Sequence, residues 1–156
     1  MILKLRQRMA QEESGFTLVE LLVVMLIIGL LAAIAIPAFF NQKGKANDAD
    51  AKTFARTAET SIETWATDNN GDYTGVAANG AELVNIEPSL QGANNLTVAY
   101  PAGEAYEISV DAPTNTTGNV FTITRHLDGP NNTPGTTDLT CTTDGNAGCP
   151  AGGDWG

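Results

Sequence analysis

The sequence predicts an α+β fold, in which a long N-terminal helix packs at its C-terminal half on a small antiparallel β-sheet head. Two observations carry this prediction: a long uncharged run that continues as an amphipathic stripe, and a later region of short alternating strands. The later region, residues 69–156, holds thirteen of the 16 glycines and six of the 7 prolines, as expected of turns between strands. At 156 residues, the chain has room for one compact domain but not for two full-sized ones.

The charge balance excludes one broad class of function. The chain has 8 Lys and Arg residues against 18 Asp and Glu residues, and its formal net charge is −10. A nucleic-acid-binding surface needs a basic face to neutralise phosphates. We therefore expect no nucleic acid as a partner of the subunit alone.

Twenty consecutive residues from Leu21 to Phe40 carry no charge. A helix of this length spans about 30 Å, enough to cross the hydrocarbon core of a bilayer. Two ordinary explanations are open at this point: a secretory signal peptide cleaved after Ala35, and a single-span anchor for an external domain. The positive-inside rule does not choose an orientation, because basic residues precede the run and also follow it closely.

Glu20 lies at the edge of this run, and neither explanation accounts for it. An acid at the centre of a membrane span costs about 2.5–3.5 kcal/mol, and an intramembrane charge usually marks a function with a partner nearby. No Lys, Arg or His lies within one helical turn of Glu20. We expect its partner to come from solvent, from another chain or from a new amino terminus.

The segment Gly15–Leu22 (GFTLVELL), followed by a membrane-length apolar run, resembles the class III signal peptide of type IV pilins and related pseudopilins. The resemblance covers residues 1–68. It implies that a prepilin peptidase cleaves between Gly15 and Phe16, and that the new Phe16 nitrogen is then methylated. Glu20 would become the fifth residue of the mature chain, where the family carries its glutamate.

The resemblance implies three parts: a leader peptide at residues 1–15, a transmembrane or filament-core helix at residues 16–40, and an extracellular globular head at residues 41–156 that includes the amphipathic half of the helix. The precursor is expected in the inner membrane as a single-pass protein, and the assembled subunit in an extracellular pilus. The leader departs from the family pattern, because Glu12-Glu13-Ser14 precedes the glycine where relatives often carry Lys or Arg.

Three residues of the apolar helix match family positions used in assembly: Glu20, Gly29 and Pro37. The resemblance implies that Glu20 sets the filament register by meeting the Phe16 amine of a neighbouring subunit; a carboxylate solvated at the headgroups is the alternative. Gly29 weakens a helix by about 1 kcal/mol relative to Ala. Pro37 lacks an amide hydrogen and clashes one turn back. We expect the segment between them to kink, or to loosen on assembly.

Beyond Phe40 the pattern becomes amphipathic, and the helix is expected to end near Asp68. An apolar stripe with spacings of four, four and three needs a sheet to cover it: Phe54, Ala58, Ile62 and Trp65. Five charged residues are assigned to the opposite, solvated face of the helix: Asp48, Lys52, Arg56, Glu59 and Glu63.

The residues after the helix have part of the spacing of a calcium loop. Tyr73 and Asn79 nevertheless stand where an EF-hand needs Gly and a bidentate Glu. The segment Asp68-Asn69-Asn70-Gly71-Asp72 therefore predicts a helix end with Asn and Gly in left-handed conformation.

Three strands are predicted from period-two alternation: Leu96–Tyr100, Ala105–Asp111 and Val120–Leu127. No helical pattern separates them, so the strands should be antiparallel and should pack on the apolar stripe. With the long helix, this arrangement is the one that the resemblance implies, the pilin fold.

Cys141 and Cys149 enclose seven residues. A disulfide is the natural state in an exported chain, and closing this loop would stabilise the fold by about 2.6 kcal/mol; two free thiols remain the alternative. The placement resembles the C-terminal disulfide-bounded loop of type IV pilins. Two thiols and His126 are too few for a closed zinc site.

No nucleophile elbow, P-loop or dinucleotide fingerprint is present. The sequence therefore predicts no catalytic residue, metal or cofactor, and a chain that is not an enzyme. The resemblance implies a structural subunit of a type IV pilus, for adhesion, motility or DNA uptake. Its expected partners are further copies of itself in a helical filament, the prepilin peptidase, the pilus assembly platform and minor pilins, and the membrane before assembly.

Two other functions stay open. A pseudopilin of a type II secretion system shares the same N-terminal features, although the Cys141–Cys149 loop favours the pilin because the principal pseudopilin more usually relies on calcium there. An exported binding module or enzyme with an ordinary signal peptide is the second alternative.

Overall fold

The computed structural model describes residues 15–113, 118–129, 134–142 and 146–156. In chain order they form helix α1 (Leu18–Asp68), helix α2 (Ala81–Ile86), a 3₁₀ helix (Pro88–Gly92) and strands β1 (Asn94–Ala99), β2 (Glu104–Asp111), β3 (Val120–His126) and β4 (Thr137–Cys141). Contacts group the chain into two compact units, divided between Phe39 and Phe40. All of the predicted leader except Gly15, including Glu12-Glu13-Ser14, lies outside the described residues.

The part of α1 in the first unit exposes its large apolar side chains. Within the described ranges, α1 is the one helix long and apolar enough to cross a bilayer, judged by length and composition. Gly29 and Pro37 both lie inside α1, and the helix continues through them. Loosening between these two residues on assembly stays a prediction.

In the second unit, α1 and one face of the sheet contribute to a single apolar core. The helix supplies mainly small side chains at the centre of this core: Ala51, Ala55, Ala58 and Ile62. The sheet supplies large ones, each 0% exposed: Tyr106, Ile108, Val110, Phe121 and Ile123. Phe54 and Trp65, predicted as part of the stripe, pack against this core but stay only partly buried. Alanines at the centre leave room for the large sheet side chains, so the two aromatic residues lie at the margins.

The described strands form one antiparallel sheet in the order β1-β2-β3-β4. Ile108 pairs with Ile123, and Val110 with Phe121, so the buried residues of β2 and β3 are opposite each other. The three predicted strands are confirmed, with ends shifted by one or two residues. The fourth strand was not predicted, because Leu139 is its one large apolar side chain before the terminal cysteine.

The predicted end of α1 is confirmed. Asn70 and Gly71 adopt φ angles of 58° and 85°, and the Gly71 amide donates to the Ala66 carbonyl at 2.7 Å. This is a Schellman-type end, in which left-handed residues turn the chain back over the last helical turn. The Asp72 carboxylate accepts the side-chain hydroxyl and the backbone amide of Thr74, which lowers the pKa of Asp72.

Candidate functional site

The predicted processing site lies just before the first turn of α1. Gly15 and Phe16 have non-helical backbone and are exposed, and Phe16 is 86% exposed. A protease binds its substrate as exposed, irregular backbone, so this placement suits the predicted cleavage. The cleavage and the methylation stay predictions.

Glu20 and Thr17 form a reciprocal capping box at the start of α1. The Thr17 hydroxyl and amide donate to Glu20 Oε2 at 2.8 and 2.9 Å, and the Glu20 amide donates to Thr17 Oγ1 at 3.2 Å. The carboxylate also lies at the positive end of the helix dipole. Thr17 is not a charged neighbour of Glu20, because its donors are a hydroxyl and an amide. The signal that finds it is the Thr-x-x-Glu spacing before an apolar run.

The contacts with Thr17 affect how Glu20 could take part in assembly. In the isolated chain, the carboxylate already accepts two hydrogen bonds from Thr17. A counter-charge from a neighbouring subunit would therefore have to replace these donors or add to them.

The predicted disulfide is confirmed in the second unit, and the alternative of two free thiols is wrong. Cys141 ends β4, and its Cα lies 5.8 Å from that of Cys149. Within the loop between them, residues 143–145 lie outside the described residues.

Two helix residues one turn apart hold the end of this loop. The Gly148 amide donates to Asp48 Oδ2 at 2.8 Å, and Lys52 Nζ donates to the Gly148 carbonyl at 2.6 Å. The Asn119 side-chain amide donates to the same Asp48 oxygen at 2.7 Å. Asp48 is 0% exposed, so its assignment to the solvated face was wrong. A side chain at position 148 would place its Cβ 2.5 Å from Asp48 Cβ, which explains the glycine.

A second carboxylate, half-buried, joins α1 to the sheet. Glu63 accepts the Tyr73 and Tyr106 hydroxyls at 2.9 and 2.8 Å. Burial, and then the hydrogen bond to Glu63, raises the pKa of Tyr73 to about 12 and also raises the pKa of Tyr106. Glu63, like Asp48, therefore accepts hydrogen bonds from residues distant in the chain, although it is only half-buried.

His126 links three strands. Its Nδ1 lies 2.6 Å from Glu104 Oε2 on β2, and its Nε2 lies 3.0 Å from Asp138 Oδ2 on β4. The hydrogen bond to Asp138, with the charge of Glu104, raises the pKa of His126. Because the two carboxylates meet different ring nitrogens, they do not converge on one point. Within the part of the chain that the structure describes, no group of three or more His, Cys, Asp and Glu residues could hold a metal ion.

Comparison with known proteins points to the same N-terminal segment. Residues 11–36 match the prokaryotic N-terminal methylation motif. The chain is 41% identical over 76 residues to a fimbrial protein of Moraxella nonliquefaciens, covering 46% of this chain and 48% of that protein. It is also 35% identical over 60 residues to the type II secretion system core protein G of Aeromonas hydrophila, covering 38% and 42%. No solved structure matches the chain.

A longer match comes from the type IV major fimbrial protein FimA of Dichelobacter nodosus, with 30% identity over 114 residues, 64% of this chain and 70% of that protein. The chain thus spans about half the length of the Moraxella relative and more than two thirds of the Dichelobacter one. Its long N-terminal helix and antiparallel sheet form the architecture expected of a pilin. The chain belongs to the type IV pilin family.

Proposed function

We propose that this chain is the structural subunit of a type IV pilus. In this proposal the prepilin peptidase removes the leader between Gly15 and Phe16, the Phe16 nitrogen is methylated, and the mature chain polymerises. The observation that carries the proposal is the methylation motif at residues 11–36, most of which lies in the start of a helix with exposed apolar side chains. Such a surface needs lipid or other copies of itself around it.

The same apolar surface serves both stages of the proposed cycle. Before assembly it lies in the inner membrane, where the helix satisfies its own backbone hydrogen bonds. After assembly it packs on the helices of other subunits, and the head faces the outside of the cell. The pilus assembly platform and minor pilins would accompany this transfer.

Glu20 is proposed to select the register of this packing. Once water and lipid are excluded, a carboxylate without a cation costs several kcal/mol. The amine of Phe16 on a neighbouring subunit is the proposed cation, and it competes with the Thr17 donors for Glu20 Oε2. Registers that leave the two charges apart are disfavoured.

Mass spectrometry of the N-terminus tests the processing step. An N-methylated Phe16 is the expected start of the mature chain, whereas a start at Ile36 would indicate an ordinary signal peptide. For assembly, the change is Glu20→Val and the measurement is the yield of surface filaments. Asp50→Val is the matched control, because Asp50 is an exposed acid elsewhere on α1. Normal filament yield from Glu20→Val would contradict the role of Glu20.

A pseudopilin of a type II secretion system is the second candidate, favoured by the match to the Aeromonas hydrophila protein. Neighbouring genes separate the two functions: retraction motors accompany a pilus, and secretion channels accompany a pseudopilin. Loss of surface filaments on deletion supports the pilus, and loss of protein secretion alone supports the pseudopilin.

A further inference from the structure

Two lysines of α1, Lys43 and Lys45, are the only charged residues between positions 21 and 47. Both are exposed, and within the described residues neither forms an ion pair. The next acid along the chain, Asp48, is 0% exposed, and its carboxylate is bonded within the chain. The first exposed acid, Asp50, lies five residues beyond Lys45. This part of α1 therefore presents positive charge alone.

The two lysines follow the apolar run at the distance of a lipid headgroup layer. The run Leu21–Phe40 is about 30 Å long as a helix, the thickness of the hydrocarbon core of a bilayer. With Phe40 at one edge of this core, the backbone of Lys43 lies about 4.5 Å further along the helix axis and that of Lys45 about 7.5 Å. The headgroup layer on each side of the core is about 5–7 Å thick. Both ammonium groups can therefore reach the lipid phosphates.

The lysines point to different sides of the helix. Two positions correspond to a rotation of about 200° around α1, so Lys43 and Lys45 do not converge on one point. Gly44, between them, is buried, so the lysines flank the side of α1 that the head covers. A single free phosphate ion could not bridge them. A membrane surface offers phosphates all around the helix, and each lysine can meet a different lipid.

These cations lie on the side of the membrane where basic residues are normally few. In the proposed precursor, residues 41–156 are outside, and the positive-inside rule places most Lys and Arg on the cytoplasmic side. The leader supplies three basic residues there. Cleavage after Gly15 removes all three, whereas Lys43 and Lys45 remain. The mature subunit thus keeps its membrane-adjacent cations at the outer surface alone.

The rest of the chain is strongly acidic. Residues 46–156 contain 3 Lys and Arg residues against 15 Asp and Glu residues. An anionic membrane surface repels such a segment within a Debye length, about 8–10 Å, and attracts cations placed next to the membrane. Charge complementarity with anionic lipid is therefore confined to Lys43 and Lys45.

We propose that Lys43 and Lys45 bind the headgroups of anionic phospholipids in the outer leaflet of the inner membrane. The occupant is lipid because the two cations directly follow a membrane-length apolar run and carry no exposed acid beside them. The mature subunit keeps this lipid contact after its basic leader is lost. The inference deepens the membrane stage of the proposed function and rests on it.

Fluorescence quenching in vesicles tests which lipid surrounds the lysines of the full chain. Asn41→Cys carries a fluorophore beside them, and Cys141 and Cys149 are already bonded to each other. The vesicles are phosphatidylcholine with a small fraction of spin-labelled phosphatidylglycerol or, separately, spin-labelled phosphatidylcholine. Labelled phosphatidylglycerol is expected to quench more, from a local excess of up to about fivefold per lysine. Equal quenching by the two labelled lipids would overturn the proposal.

Three variants fix the interpretation. Lys43→Gln with Lys45→Gln should make the two labelled lipids quench equally, whereas Lys43→Arg with Lys45→Arg should keep the preference. Arg56→Gln is the matched control, because Arg56 is an exposed cation of α1 that lies about 24 Å beyond Phe40, outside the headgroup layer. An equal loss of preference in Arg56→Gln and in the double glutamine variant would reveal an effect of net charge and contradict the site.

Salt distinguishes a lipid headgroup from a free anion. The preference for phosphatidylglycerol should weaken as salt is raised, because the lysines are exposed. Sodium phosphate and sodium chloride of the same ionic strength should weaken it equally. A greater loss in phosphate would show that the lysines bind the free ion, and the assignment to lipid would then be wrong.

These outcomes separate the lipid contact from the proposed function, since quenching in vesicles requires neither cleavage nor polymerisation. If filaments form but the two labelled lipids quench equally, the lipid contact is wrong and the pilus proposal stands. If phosphatidylglycerol is preferred but the chain forms no filaments, the pilus proposal fails and the lipid contact stands.

Discussion

The Asp48 carboxylate in α1 accepts a hydrogen bond at 2.8 Å from the amide of Gly148, 100 residues later in the chain. The same oxygen accepts the Asn119 side chain at 2.7 Å, and Asp48 is 0% exposed. One turn along the helix, Lys52 donates to the Gly148 carbonyl at 2.6 Å. Together these contacts hold the end of the disulfide-bounded loop against the helix.

Replacing Asp48 by Ala should destabilise the fold. The change removes the acceptor of two donors, and leaving a buried donor unsatisfied costs about 1–3 kcal/mol. We expect the free energy of unfolding to fall by about 2–4 kcal/mol, measured by denaturant unfolding of the chain in detergent. Asp50→Ala is the control, because Asp50 is exposed on the same helix. Equal stability of the two variants would show that the buried contact contributes nothing.

Thr17→Ala should loosen the first turn of α1. The variant loses the two hydrogen bonds of the Thr17 hydroxyl, one to the Glu20 carboxylate and one from the Glu20 amide. N-cap replacements of this kind cost about 1 kcal/mol. We expect faster hydrogen exchange at the Glu20 amide in micelles. Thr17→Ser keeps the hydroxyl and should exchange like the unmodified chain. Unchanged exchange in Thr17→Ala would mean that the capping box does not form in solution.

His126 should make the stability of the head depend on pH. Its pKa is raised above the ordinary value of 6.5 by the hydrogen bond to Asp138 and the charge of Glu104. A raised pKa means that the folded state binds the proton more tightly than the unfolded state. The stabilising effect is therefore complete below about pH 6.5 and is lost as the pH rises through the folded-state pKa. Thermal unfolding of the unmodified chain and of His126→Asn should differ most at low pH.

The same effect can be observed directly by NMR, because His126 is the only histidine in the sequence. Asp138→Asn removes the larger cause of the raised pKa and should bring the titration midpoint down towards its ordinary value. Asp154→Asn changes an exposed acid elsewhere and serves as the control. A midpoint that is the same in all three proteins would contradict the contact with Asp138.

Tyr106→Phe should be more costly than Tyr73→Phe. Both tyrosines donate to Glu63, but Tyr106 is 0% exposed, so water cannot replace its hydroxyl. A hydrogen bond to a charged group contributes about 1.5–3 kcal/mol, and we expect a loss in this range for Tyr106→Phe in denaturant unfolding. A larger loss for Tyr73→Phe would reverse the roles of the two residues.

Absorbance during alkaline titration provides a second observation on the tyrosines. Burial raises the pKa of all three, and that of Tyr73 to about 12. Tyr73 should therefore ionise near pH 12 in the folded chain and the other two tyrosines above their ordinary pKa of 10, whereas all three should ionise near pH 10 in denaturant. The same titration curve for the folded and the denatured chain would contradict the burial of these hydroxyls.

Local periodicity predicted the elements that carry a strong pattern. The end of α1 at Asp68 follows from Asn and Gly, and β2 and β3 follow from their alternating apolar residues. β4 could not be predicted from the sequence, because a strand with few apolar residues has no clear alternating pattern. It is defined by its pairing with a neighbouring strand, here β3. The short helix α2 has too few residues for a periodic signal.

The residues of the candidate site were also predictable only where their relationship is local in the sequence. Gly15, Phe16 and Glu20 could be proposed as site residues from sequence because they lie within a few residues of one another. The capping box with Thr17 is equally local, and its Thr-x-x-Glu spacing is visible in the sequence.

Sequence alone therefore predicted the long helix, three of the strands, the disulfide and the family resemblance, since each depends on neighbouring residues or on a short motif. The burial of Asp48 could not be found in this way. At its position on α1, periodicity indicates a solvent-exposed acid, and only the folded chain brings Asn119 and Gly148 to it across 71 and 100 residues. A charged group becomes an interior residue when donors distant in the chain replace its water, and helical periodicity carries no information about those donors.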